Sequence, residues 1–341
     1  MIYIDETYPF DEPAATFPYQ KVSLKTNVDP SSKYEILPEL GRGSFGTVFL
    51  CKEKKTGLEL AAKIVKYKKK KERADMEREI DIMSSLHHPR LIQLYDAFDY
   101  DNHIYVVLEL IQGGELFERV IDEDFVLTER ACAIFMRQIV EGIEFIHSKR
   151  IIHLDMKPEN VLCLSKEGNR IKIIDFGFAR RYDPRKPLQV MFGTPEFAAP
   201  EVINFDEIGF YTDMWSLGVI CYVLVSGLSP FVGDDDVQTM TNVTLGKYSF
   251  DYHSFDDVSE QAKDFIRSLL VKEGCKRMSA KKALKHPWLA ELQRTRELSV
   301  TKTKLKRYVI KKRWIKAINT IIAIQRFKKS GCNARLAEKE I

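Results

Sequence analysis

The sequence of 341 residues has no C-x-x-C pair and no Cys/His cluster at metal-ligand spacing. Its six cysteines, at 51, 132, 163, 221, 275 and 332, are scattered. That excludes zinc-stapled and disulfide-built scaffolds and points to reduced thiols in a cytosolic-type compartment. Long apolar runs are missing too. The longest, Leu217 to Val225, is nine residues, against the roughly 20 that a membrane-spanning helix needs. The N-terminus is acidic and proline-containing rather than basic then apolar, so neither a signal peptide nor a membrane span is readable. There is no internal repeat, and the only low-complexity stretch is Lys68 to Lys71, a solvated turn before a helix. What remains, 45% hydrophobic and 30% charged residues, is the make-up of an ordinary globular chain.

The net charge of +4 conceals an asymmetry. From Arg294 to Ile341 there are 15 Lys/Arg against 3 Asp/Glu, a balance of +12, which leaves −8 on residues 1 to 293. A basic tail follows an acidic body. Such a tail suits nucleic acid, an anionic membrane, an acidic protein or the body of its own chain, and composition does not choose among them.

Residues 1 to 32 carry four prolines and no sustained period, which predicts an extended leader. From Tyr34 the pattern is β-rich, with strands expected around Glu39 to Leu40, Thr47 to Cys51 and Leu58 to Val65. Met76, Ile80, Met83 and Leu86 then recur at helical spacing within Arg73 to Leu86. Strands at Leu91 to Phe98 and Ile104 to Leu110 follow. After Gly113 and Gly114 helical patterns dominate, at Glu115 to Val120, Thr128 to His147, Thr212 to Ser226, Ser259 to Leu270 and Ala280 to Lys285, interrupted by short strands near Val161 to Leu164 and Ile171 to Ile174. The expected architecture is α+β and bilobal: a small antiparallel sheet lobe, a larger mainly helical lobe and a C-terminal regulatory helix.

Gly41, Gly43 and Gly46 form a G-x-G-x-x-G-x-V run with Val48. Glycines there permit close backbone approach and aim N–H groups at phosphate oxygens. A strand follows rather than a helix, so a glycine-rich hairpin over a nucleotide fits better than a dinucleotide fold. Lys63 ends an alternating strand, suited to reaching phosphates, and Glu79 on the next helix can pair with it, with Glu77 as a competitor half a turn away. Next in order come Ile152-His153-Leu154-Asp155-Met156-Lys157-Pro158-Glu159-Asn160, Ile174-Asp175-Phe176-Gly177, Gly193-Thr194-Pro195-Glu196 and Ala199-Pro200-Glu201.

With these elements in sequence over residues 34 to 288, the chain resembles the eukaryotic protein kinases. The resemblance implies a bilobal protein kinase fold, with a leader at 1–32, a catalytic domain at 33–289 divided into a small lobe at 33–111 and a large lobe at 112–289, an autoinhibitory and calmodulin-binding segment at 290–330 and a tail at 331–341. It implies ATP and Mg²⁺ as cofactors. Asp155 would orient the substrate hydroxyl, Lys157 would sit near the γ-phosphate, and Asn160 and Asp175 would supply hard oxygen ligands for the metal. Backbone groups of Glu109 and Ile111 would meet the adenine, Leu108 would line the back of its pocket, and Leu40, Val48, Ala61 and Leu162 would enclose the ring. Glu115 would bond the ribose. Glu115 and Glu159 would face a peptide, with Asp234, Asp235 and Asp236 extending an acidic path that favours basic substrates. Lys157 with Gly193-Thr194-Pro195-Glu196 resembles the serine/threonine branch, and Asp213, Glu201 and Arg277 look like structural supports.

One departure matters. Leu154 stands where the family usually has arginine, and an aliphatic side chain cannot bind a phosphate. Between Gly177 and Ala199 the only hydroxyls are Thr194 and Tyr182, so control by phosphorylation of that segment is not expected.

No acidic residue occurs between Leu298 and Ala337. Trp314, Ile318, Ile321 and Phe327 stand at relative positions 1, 5, 8 and 14, the first three on one helical face. A basic amphipathic helix with bulky anchors suits calmodulin's acidic, methionine-lined groove. Docking on the kinase body or on an anionic membrane is the plainer alternative. The layout looks most like the myosin light chain kinases, with titin-like and death-associated kinases next. That resemblance implies Ca²⁺-calmodulin as activator, the myosin regulatory light chain as substrate, and a cytoplasmic, cytoskeleton-associated location. A catalytically silent calmodulin-binding scaffold, a small-molecule kinase and nucleic-acid binding by the tail are weaker readings, since Lys63, Asp155, Asn160 and Asp175 are all present.

Overall fold

The computed structural model describes residues 17–18, 21–43, 46–186, 188, 194–290 and 297–315. The small lobe is one six-stranded sheet. Its strands are β1 (Lys25–Thr26), β2 (Tyr34–Gly43), β3 (Gly46–Glu53), β4 (Glu59–Lys66), β5 (Leu94–Tyr100) and β6 (His103–Glu109), in the order β1-β5-β6-β4-β3-β2. All pairings are antiparallel except that of β1, which runs parallel to β5 with Lys25 opposite Phe98. Alternate side chains of a strand face opposite sides. Ile104 and Val106 of β6 therefore join the core beneath helix α1 (Lys70–Ser84) with Met76, Ile80 and Met83, while Val107 joins Tyr34, Tyr95 and Phe98 on the other face.

The segment read as a leader is partly built onto this lobe. Val22 is buried, and the Lys25 and Lys33 ammonium groups both reach the buried Asp96 carboxylate, at 2.6 and 2.9 Å. Short-range pattern could not reveal this, because the partners lie more than 60 residues apart and β1 has only two residues.

The large lobe begins with α2 (Leu116–Ile121) and α3 (Glu129–Ser148). Thr128 caps α3, its hydroxyl accepting from the Ala131 N–H at 3.1 Å, a contact worth about 1 kcal/mol. Short strands β7 (Ile151–Ile152), β8 (Val161–Cys163), β9 (Ile171–Ile173) and β10 (Arg180–Arg181) carry the loops between lobes, β7 pairing with β10 and β8 with β9. Then come α4 (Pro200–Ile203), α5 (Phe210–Ser226), α6 (Asp236–Leu245), α7 (Glu260–Leu269), α8 (Ala280–Ala283) and α9 (Pro287–Ala290). Helix α5 is apolar on nearly every side and is correspondingly buried all round. It stops at Gly227, whose φ of 69° is the left-handed conformation glycine adopts without a Cβ penalty. Residues 299–315 form a further helix on the outside of this lobe. Among the described residues no helix is long and apolar enough to cross a membrane.

Candidate active site

The small lobe contributes a cation and a bend. Lys63 lies in β4 between Val48 of β3 and Val106 of β6, and its Nζ donates to Glu79 Oε1 of α1 at 2.8 Å. Burial alone would lower the ammonium's pKa; the carboxylates of Glu79 and, further off, Asp175 outweigh it and hold it above the ordinary lysine value. Glu77, the competing partner, turns outward and pairs with Arg73 at 2.8 Å. Gly41 faces Val48 across the β2–β3 hairpin and Gly43 faces Gly46. A Cβ on Gly46 would stand 2.5 Å from the Ile64 carbonyl oxygen, so the hairpin lies too close to β4 for any side chain there.

The large lobe contributes the loop after β7. Asp155 Oδ2 accepts from Lys157 Nζ at 2.6 Å and from Asn160 Nδ2 at 3.0 Å, while Nδ2 also reaches the Asp155 carbonyl at 2.7 Å. With its amide nitrogen committed, Asn160 keeps its amide oxygen as an acceptor. The loop is pinned from below. Asp213, buried at the start of α5, accepts from the backbone N–H groups of His153 and Leu154 at 2.9 and 2.8 Å and bonds His147 Nε2 at 2.8 Å. Burial pushes its pKa up, but the His147 bond and the nearby histidines and N–H donors prevail, leaving it below the usual carboxylate value. Leu154 has a φ of 66°, a conformation costing on the order of 1–3 kcal/mol that the Asp213 bonds hold in place. Its side chain lines a recess of mixed polarity with Asp155, Met156, Lys157, Phe197 and Val202.

Asp175, at a φ of 65°, accepts from the Gly177 N–H at 3.2 Å. A Cβ on Gly177 would lie 3.3 Å from Asp175 Oδ1 and 3.7 Å from Glu79 Oε2, so the two carboxylates from different lobes converge there. The Ile174 N–H donates to the Asn160 carbonyl at 2.9 Å, bringing Asn160 and Asp175 to neighbouring backbone positions. Below them, Glu201 and the buried Arg277 pair at 2.9 Å, and the Arg277 guanidinium lies over Trp215 at 5.0 Å.

Between the lobes, Ala61 faces Leu108 and Leu60 faces Glu109. The Glu109 side chain is taken by Lys172 at 2.9 Å, which leaves only its backbone for a ligand. Leu40 is exposed at the lip, while Val48, Leu108, Ile111 and Leu162 are half-buried, and Glu115 bridges to Leu162.

The helix 299–315 runs along the large lobe toward this site. Leu298, Thr301, Leu305 and Val309 are its buried face; the Leu298 N–H donates to the Leu127 carbonyl at 2.8 Å and the Thr301 hydroxyl to the Val225 carbonyl at 3.0 Å. Further along, Tyr308 packs edge-on to Phe117 and donates from its hydroxyl to Glu196 Oε1 at 3.0 Å. Lys312 pairs with the other oxygen of Glu196 and Arg313 with Glu118. Burial first, then Glu196, raises the Tyr308 phenol far above its ordinary pKa. Glu118 and Tyr308 were not singled out from the sequence, and Glu196 only as part of the Gly193-Thr194-Pro195-Glu196 run. The spacing 298, 301, 305, 309 was a helical signal for the docked face, on the N-terminal side of the anchors that stood out. Trp314 is 65% exposed and Ile315 is exposed beside it; Ile318, Ile321 and Phe327 lie outside the described residues.

Comparisons with known proteins agree with this geometry. The chain is 49% identical over 324 residues to the smooth-muscle myosin light chain kinase of Gallus gallus, which covers 94% of this chain and 17% of that protein. It is 49% identical over 329 residues to myosin light chain kinase 2 of skeletal and cardiac muscle from Oryctolagus cuniculus, covering 95% of this chain and 54% of that one. The chain thus spans only part of the length of these curated relatives. Among solved structures, the twitchin kinase region from C. elegans superposes with a TM-score of 0.82 at 40% identity, covering 86% of this chain and 52% of that one. The autoinhibited serine kinase domain of the giant muscle protein titin gives 0.78 at 37% identity, with 82% and 87% covered. The protein kinase domain model matches residues 34–289, and the chain belongs to the protein kinase family, with a bilobal kinase fold.

Proposed function

We propose that the chain is an ATP-dependent serine/threonine protein kinase, held inactive by its basic C-terminal segment, activated by Ca²⁺-calmodulin, and acting on the myosin regulatory light chain. The observation that carries the reading is the pairing of a complete catalytic set with a basic helix seated on the acidic residues beside it. Phosphoryl transfer needs positioning and charge neutralisation more than covalent help. Asp155, oriented by Lys157 and Asn160, holds the substrate hydroxyl and takes its proton late. Lys157 faces the transferring phosphate, and Lys63, fixed by Glu79, holds the phosphates under the Gly41–Gly46 hairpin. Asn160 and Asp175 are the residues that would hold Mg²⁺: both offer hard oxygens, and a metal that also binds phosphate oxygens needs only one or two protein ligands. When bound, Mg²⁺ supplies charge neutralisation on the phosphates. Leu40, Val48, Ala61, Leu108 and Leu162 enclose the adenine, with Glu109, Ile111 and Glu115 as polar contacts.

Leu154 itself offers no cation for a phosphorylated activation segment, so the tail is the switch. Exposed Trp314 on the docked helix leaves an anchor available to calmodulin while the cleft is blocked, with Ile318, Ile321 and Phe327 completing the target. The domain boundaries at 33–289 and 290–330 follow from the same division of labour, and residence on the actomyosin cytoskeleton from the substrate. The names of the myosin light chain kinases above support the substrate. Transfer of phosphate from MgATP to a regulatory-light-chain peptide by the Ca²⁺-calmodulin-saturated chain tests the reading. No transfer to that peptide or to the whole light chain would overturn it.

A further inference from the structure

Helix α1 carries Glu79, so whatever fixes the helix also fixes the Lys63–Glu79 pair. Asp81 stands two residues on, in the last turn of α1, and that turn has no basic residue of its own. A carboxylate there lies at the negative end of the helix dipole, where a cation is favoured. The cation comes from the large lobe. Arg181 Nε and Nη2 both donate to Asp81 Oδ2, at 3.1 and 2.9 Å, and Nη2 also reaches the Asp81 carbonyl oxygen at 3.5 Å. Arg181 is itself anchored: β10 pairs Arg181 with Ile151 and Arg180 with Ile152 of β7, and the next N–H, that of Tyr182, donates to the Arg150 carbonyl at 2.7 Å. Strand β7 runs directly into His153-Leu154-Asp155. One side chain thus links the end of α1 to the base of the loop that carries Asp155.

Building on the kinase reading, we propose that Arg181 is a positioning residue for phosphoryl transfer: through Asp81 it holds α1, and with it Glu79 and Lys63, in register with Asp155, with no phosphate needed on the segment after Gly177. Lys63–Glu79 joins the sheet to α1, and Arg181–Asp81 joins α1 to the large lobe. The two side chains are 51% and 65% exposed, so the pair has the strength of a surface ion pair with a forked donor. It acts on the balance between a seated and a loosened α1 rather than on folding of the domain. An arginine that only filled space there would be indifferent to the sign of the charge it faces.

The test uses the full chain saturated with Ca²⁺-calmodulin. Amide hydrogen exchange across residues 76–83 and steady-state transfer to a regulatory-light-chain peptide are measured for the wild type, Arg181→Asp, Asp81→Arg and the two changes together. Each single change sets like charges face to face and is expected to speed exchange and lower kcat by roughly threefold, with the KM for peptide unchanged. The double change restores an opposite pair and should bring both readings back toward the wild type. Exchange unaltered by the single changes, a double variant no better than either single one, or a wild-type kcat despite faster exchange overturns the proposal. A wild-type chain that transfers no phosphate overturns the kinase reading, and the positioning role with it, even where exchange shows that the pair holds α1.

Discussion

Tyr308 donates a 3.0 Å hydrogen bond to Glu196, across 112 residues of sequence. Glu196 belongs to the segment before α4, and Tyr308 to the basic tail; their bond holds the tail on the large lobe. Lys312 takes the second Glu196 oxygen and lies over the rings of Phe197 and Tyr308 at 5.7 and 5.6 Å. Glu196 is only 3% exposed, and removing one partner of such a pair costs more than a surface ion pair would.

The seat of the tail can be loosened from beneath. A Cβ on Gly227 would stand 2.6 Å from Lys304 Cβ, 2.7 Å from the Leu305 nitrogen and 2.8 Å from the Thr301 carbonyl oxygen. Two of these are backbone atoms, so Gly227→Ala pushes the helix 299–315 off α5. The left-handed strain on Gly227 itself weighs on docked and released chains alike, whereas the clash weighs on the docked chain only. A differential penalty of about 1.4 kcal/mol would raise calmodulin-independent activity roughly tenfold. The same substitution in a chain ending at Leu292 should leave its activity unchanged.

Trp314→Ala should leave the resting chain silent, since the indole is 65% exposed and contributes little to docking. It should weaken activation, because a buried tryptophan anchor contributes on the order of 2 kcal/mol or more to a helix-in-groove complex. Titration with Ca²⁺-calmodulin then requires tens of times more activator. An unchanged titration curve would remove Trp314 from the interface.

Much of this was legible in the sequence because kinase chemistry lies in short contiguous runs. Asp155, Lys157 and Asn160 are within six residues, and their mutual bonds follow from local geometry. The choice of Glu79 over Glu77 was open to helical phase alone; the 2.8 Å bond to Lys63 decides it. What could not be read depends on distant partners. The parallel pairing of Lys25 with Phe98 and the tail's contacts with Glu118 and Glu196 carry no local period. Helix α6 was missed because only Thr239 and Val243 of its ten residues are buried, leaving no apolar stripe.

Glu79→Gln should act through Lys63. Its raised pKa means that the ion pair's contribution is complete below about pH 10, the ordinary lysine value, and is lost as pH rises through the folded value. Without the Glu79 charge, burial dominates and the ammonium deprotonates at lower pH. The variant should lose roughly 10²-fold in kcat at neutral pH, and its alkaline limb should shift to lower pH. An unshifted pH profile would show that Glu79 only fills space.

Asp213→Asn should cost about 3 kcal/mol at pH 7, because an amide cannot accept from His153, Leu154 and His147 together. With its folded pKa below the unfolded one, the wild-type contribution is full above about pH 4 and vanishes as pH falls through the folded value. Urea midpoints of the two proteins should therefore differ at pH 7 and converge at the acid end.

If a competent kinase is closed by its own tail, removing the tail should free it. Phosphate transfer from MgATP to a regulatory-light-chain peptide should be measured for the full chain and for a chain ending at Leu292, each with and without Ca²⁺-calmodulin. The full chain should be silent until Ca²⁺-calmodulin is added and the shortened chain active without it; equal transfer by both in its absence would contradict autoinhibition by the tail.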